Sequence, residues 1–131
     1  MKTLIAMTML MALGFVFPAM AADKQDLDNR VKQLNSVGSK PDMQDVAFQR
    51  ISTETGVPVE TVRKQHQRHP NVGVAGLMIA NVLANETKKA PEQFLGEHEK
   101  GKKWVPIAKE NNVTVDKLNE RLDRLAKAIN G

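Results

Sequence analysis

Three segments of this chain, residues 51–62, 83–94 and 107–118, can be laid over one another without a gap. No other feature limits the possible folds so tightly. Each segment begins with an aliphatic residue (Ile51, Leu83, Ile107). A glutamate follows three places on (Glu54, Glu86, Glu110), then an acid (Glu60, Glu92, Asp116) and an apolar residue (Val62, Phe94, Leu118). Phe48, Ala80 and Trp104 stand three positions before the aliphatic residue. The copies are unevenly spaced, which describes an irregular array and not a strict solenoid.

One unit reads as a helical hairpin. Phe48 and Ile51 fall on one helix face. Gly56 supplies a left-handed residue that ends a helix at little steric cost. Pro58 and Glu60 open the next helix, where a missing amide is harmless and a negative charge suits the dipole. Pro91 and Glu92 take that role in the second unit. In the third, Asn112 is the turn residue, Thr114 the expected N-cap, and Asp116 sits in the first turn. Val57 and Val113 are placed to fill the angle between helices.

The remaining periodicity extends the same architecture. Leu27, Val31 and Leu34 step by four and three, a short amphipathic helix over 23–36, followed by a loop at 37–41. Helices are expected over 42–55 and 59–68, the second stopped by His69-Pro70. Residues 71–76 read as a loop and 77–87 as a central buried helix, apolar almost all round. Further helices cover 91–99, 102–111 and 115–130, with Pro106 kinking or delaying the start of the second. Leu118, Leu122, Leu125 and Ile129 share one face of the last. The expected fold is all-α. Three helix-turn-helix-like hairpins form one domain at 42–131, preceded at 22–41 by a less firmly packed helix and linker.

The N-terminus reads as an address. Lys2 precedes an apolar run from Leu4 to Phe17, then Pro18 and the triplet Ala19-Met20-Ala21. That is the pattern of a secretory signal peptide over 1–21, with the mature chain starting at Ala22. A soluble protein, periplasmic or extracellular, is expected. No second segment is long and uninterrupted enough to span a membrane. The formal charge of +4, reduced by loss of Lys2, is too small for a phosphate-driven nucleic-acid footprint. With no cysteine, the chain has no disulfide, thiol catalysis or lipid-anchored N-terminus.

Two resemblances attach to particular residues. Gly56-Val57-Pro58, Ile79-Ala80-Asn81-Val82-Leu83-Ala84 and Gly101-Lys102-Lys103-Trp104-Val105-Pro106-Ile107-Ala108 resemble a group of small exported bacterial proteins carrying these motifs in this order. The likeness spans about 48–118 and implies export and a helical fold, with no activity attached. Residues 107–118 are similar to the helical half of LysM, a peptidoglycan-binding module. That family flanks its helices with strands, and the sequence around 99–103 and 118–129 offers none.

Few residues propose chemistry. His66 and His69, three apart on a helix end, with His98 elsewhere, are the candidate metal ligands. Neighbouring cations and a polar helix terminus explain the pair without a metal. The recurring Glu54, Glu86 and Glu110 invite a carboxylate pair for glycan hydrolysis, but equivalent sites do not yield one acid and one base. They are expected to bind the amides opening the next helix or to stay solvated. No catalytic or cofactor signature is present, so an enzyme is not expected. Trp104 is expected in the core, with sugar stacking as the alternative. Lys100, Lys102 and Lys103, around Gly101 and beside Trp104, form the candidate binding stretch for an anionic envelope polymer or envelope protein. The function expected is a cell-envelope interaction or structural protein, with LysM-like glycan binding and then histidine metal binding as alternatives.

Overall fold

The computed structural model describes residues 27–130. The signal peptide expected over 1–21 and residues 22–26, where the N-terminal helix is expected to begin, lie outside them. The described residues form seven helices and no strand: α1 (27–38), α2 (Pro41–Thr55), α3 (Val59–Arg68), α4 (Gly73–Thr87), α5 (Pro91–Glu99), α6 (Trp104–Glu110) and α7 (Val115–Asn130). The fold is all-α.

Central in this arrangement is α4, which touches α2, α3, α5 and α7. Every residue from Val74 to Ala84 is buried, including Asn81. A polar amide is tolerated there because it is fully satisfied. The Asn81 Nδ2 donates to Gln65 Oε1 (2.7 Å) and to the Leu77 carbonyl (2.8 Å), while Gln65 Nε2 donates back to Asn81 Oδ1 (3.0 Å). The helix starts earlier than the glycine-rich stretch 71–76 implies. Gly73 adopts φ +81°, and a Cβ there would lie 2.2 Å from the Asn35 side chain. Gly76 lies under Trp104 and Val72. Both glycines are dictated by close approach, so their low helix propensity does not mark a loop.

Three helix ends share one geometry. Gly56, Lys88 and Asn112 are left-handed at φ 76°, 65° and 59°. Just before each, Thr55, Thr87 and Asn111 donate to the carbonyls of Ile51, Leu83 and Ile107 at 2.6, 2.7 and 2.7 Å. Those three aliphatic residues have no solvent exposure. The expected N-cap is present: Thr114 Oγ1 accepts the Lys117 amide at 3.2 Å. Pro106 sits third in α6, inside the first turn, where it has no helical hydrogen bond to break.

The N-terminal helix corrects the expectation of looser packing. Leu27, Val31 and Leu34 are buried in the same core as the other helices. Arg30 bonds the Asn119 Oδ1 (3.0 Å) and pairs with Asp123 on α7. Asn35 accepts the Ala75 amide (2.8 Å) and donates to the Val72 carbonyl (3.1 Å). It therefore caps α4, whose preceding residue Val72 offers no side-chain cap of its own.

Candidate binding cleft

The packing of α1 against α4 leaves an opening on its other flank. There α1, the Asn71–Val72 turn and the start of α6 enclose a cleft of about 860 Å3. Its apolar lining comes from Val31, Val72, Trp104, Val105 and Pro106. Its charged lining is Lys32 from α1, Lys103 just before α6, Lys109 from α6, and a single acid, Asp28. Lys32 and Lys103 make no ion pair among the described residues.

The position of α6 follows from the turn before it. Gly101 takes φ +107° and its amide reaches the His98 carbonyl at 2.9 Å. The His98 Nδ1–H donates to the Lys102 carbonyl at 2.8 Å, because a carbonyl only accepts. With its tautomer set, the imidazole stacks on the Trp104 ring at a centroid distance of 4.3 Å and 17°. Trp104 has no solvent exposure, and its Nε1 has no hydrogen-bond partner among the described residues. Tryptophan here is core, as expected, and backs the cleft.

The lysine stretch does not form one patch. Lys102 is tied to Glu110 and, at 3.4 Å, to Glu97. Glu110 and Glu97 together hold its ammonium above the ordinary range against a smaller effect of burial. Lys100 is exposed at the end of α5 and does not line the cleft. Only Lys103 of the three contributes to the cleft.

The three histidines go separate ways. His66 Nε2 accepts from the Gln44 amide (3.1 Å), and its ring lies 5.4 Å from that of Phe48. His69 lies between two carboxylates, Nδ1 on Glu99 and Nε2 on Glu92, each at 2.5 Å. Burial disfavours its charge, but Glu92 and Glu99 outweigh it and raise its pKa. His98 belongs to the tryptophan stack. Among the described residues no cluster of three or more His, Cys, Asp or Glu is arranged to hold a metal.

The repeated glutamates do not bind helix-opening amides; they meet bases. Glu86 pairs with Lys117 at 2.7 Å, and Glu110 with Lys102. Glu54, with its side chain only 9% exposed, pairs with Arg124 (2.7 Å), Arg121 (3.2 Å) and Arg50 (3.4 Å). Burial pushes its carboxyl up, but Arg124, Arg50 and Arg121 together hold it below the usual range.

No family profile, curated protein or solved structure matches this chain.

Sequence reasoning missed Asp28, Lys32, Asn35 and Asn71 as site residues. Asp28, Lys32 and Asn35 reach the cleft only because the Asn35 cap and the Arg30 contacts dock α1, and neither contact has a local sequence signal; Asn71 enters from the turn before α4. The arrangement can hold a negatively charged group at the lysines.

Proposed function

We propose that this chain is an exported binding protein of the cell envelope, without catalytic activity, whose partner is anionic and occupies the cleft between α1 and α6. One observation carries the reading: a concavity of about 860 Å3 lined by three lysines and one aspartate. That size falls within the ~300–1,000 Å3 of small-ligand sites, and the surplus of positive charge draws anions. Export rests on the leader pattern at 1–21 and on the resemblance to small exported proteins. No helix among the described residues is long and apolar enough to cross a membrane.

The alternatives have less support. A lysine run wrapping a polyanion loses Lys102 to Glu110 and Glu97. LysM-like glycan binding lacks its flanking strands, since no strand occurs among the described residues. Metal binding would require His69 to leave two carboxylates.

The test is titration of the purified protein with fatty acid, acidic phospholipid vesicles and wall polymer in turn, at rising salt. At least one should bind, weaken with salt, and weaken further in Lys32→Gln/Lys103→Gln with unchanged circular dichroism. Lys64→Gln/Lys127→Gln should bind as the parent does. Binding that ignores the first pair overturns the cleft. Protein recovered outside the cytoplasm should begin at Ala22; retention of residues 1–21 there overturns export.

A further inference from the structure

We infer that Asn112, in the turn between α6 and α7, is a modification site that receives an N-linked oligosaccharide during export. This rests on the exported reading and is independent of the cleft. The acceptor pattern is Asn-x-Ser/Thr with x other than proline. The chain carries it twice, at Asn85-Glu86-Thr87 and at Asn112-Val113-Thr114. The pattern alone does not choose between the two. Their surroundings do.

At the first, both acceptor groups are committed. Asn85 stands in α4, and its Nδ2 donates to the Thr55 carbonyl at the end of α2 (2.7 Å). The Thr87 hydroxyl donates to the Leu83 carbonyl (2.7 Å) and accepts the Lys89 amide (3.2 Å). A sugar on Asn85 Nδ2 would compete with the tie between α4 and α2. At the second, both groups are open. Asn112 is exposed and left-handed at φ 59°, and its side-chain amide has no hydrogen-bond partner among the described residues. Thr114 is exposed too. Its oxygen accepts the Lys117 amide at 3.2 Å, which leaves the hydroxyl hydrogen to donate.

The reaction is a glycosyl transfer from a lipid-linked oligosaccharyl diphosphate. The bond from the first sugar's C1 to the diphosphate oxygen breaks, and a bond from C1 to Asn112 Nδ2 forms. The amide loses one of its two hydrogens as a proton to a base of the transferase, and the lipid diphosphate leaves with the bonding pair. The turn survives the change because backbone groups hold it. The Asn112 amide donates to the Lys109 carbonyl (3.1 Å) and the Val113 amide to the Ala108 carbonyl (2.9 Å). A bulky, hydrophilic glycan requires such a surface position.

The experiment is peptide mapping by mass spectrometry of the protein exported by its native host. Amidase release in heavy-oxygen water marks each formerly glycosylated asparagine as labelled aspartate. The peptide holding Asn112 should carry the sugar, and the peptide holding Asn85 should be bare. Asn112→Gln should abolish the added mass, and Asn85→Gln should leave it unchanged. Thr114 also caps α7, so Thr114→Asp supplies the decisive variant. Aspartate keeps a cap but has no hydroxyl, so the protein should retain its circular dichroism and lose the sugar. Thr114→Ser should keep both.

Exported protein that begins at Ala22 with a bare Asn112 overturns the modification and leaves export standing. Sugar on Asn85 overturns the choice between the two asparagines. Sugar retained in Thr114→Asp overturns the acceptor pattern. Retention of residues 1–21 outside the cytoplasm overturns export, and this inference with it.

Discussion

Residue-scale behaviour in this molecule is set by how completely each buried group is satisfied. Leu83 has no exposure and sits on the central helix, and Ile51 and Ile107 are equally buried. Replacing each by alanine should cost about 2–5 kcal/mol, the range for truncating a buried aliphatic residue, measured by denaturant unfolding. Losses below about 0.5 kcal/mol at all three would sink the alignment of these residues as the core positions of a repeat. The Gln65–Asn81 pair behaves differently, because each amide satisfies the other. Asn81→Leu alone should destabilise by about 1–3 kcal/mol by orphaning Gln65. Gln65→Leu/Asn81→Leu should recover most of that loss, and a double variant as poor as the single one would contradict the account. Burial at Leu83 was readable from its apolar surroundings. Asn81 was not, since its partner lies on another helix and an asparagine in an apolar run carries no sign of where its hydrogen bonds go.

Beyond the shared core, some elements are also tied at their ends, and the joint between α3 and α5 is titratable. His69 at the end of α3 holds Glu92 and Glu99 of α5 together, with Arg68 also 3.5 Å from Glu92. Both ring nitrogens can donate only when the imidazole is charged. Its folded pKa is raised, so this stabilisation is fully present below the unfolded value of about 6.5 and is lost as pH rises through the folded value. The stability advantage of the parent over His69→Gln should therefore shrink between neutral and alkaline pH. Glu92 and Glu99 are substantially exposed, so the advantage should amount to about 1 kcal/mol or less. Unfolding curves of both proteins across that range decide it, and an advantage that grows with pH would refute the joint. Most helix boundaries were legible at this scale, because turn residues and 3.6-residue periodicity agree locally. The start of α4 was not. Gly73 answers to Asn35, and Gly76 to Trp104 as well as its neighbour Val72, so the deciding contacts come from Asn35 and Trp104 in other parts of the chain.

At the scale of the whole molecule, Glu54 secures the end of α2 to α7 through Arg121 and Arg124. Its lowered pKa gives stability that is present above the unfolded carboxylate value of about 4.3 and is lost as pH falls through the folded value. Glu54→Gln should cost about 1–3 kcal/mol at neutral pH. The difference from the parent should close as acid protonates the carboxyl, as followed by unfolding at stepped pH. A gap that persists undiminished at the acid end would mean that packing, and not charge, holds the joint. The cleft belongs to this scale too, which is why the sequence concealed it. Lys103 was visible within a basic run, but Lys32 becomes its companion only through the docking of α1. One tie in that docking also has a kinetic side. Asn35 meets the Ala75 amide across 40 residues of chain, and closing a loop of that length costs about 3 kcal/mol of entropy. The first turn of α4 therefore cannot mature until the chain has folded back on itself. In deuterium exchange, the Ala75 amide should open whenever α1 lifts away, so a disturbance near the N-terminus would be read first in the middle of the protein.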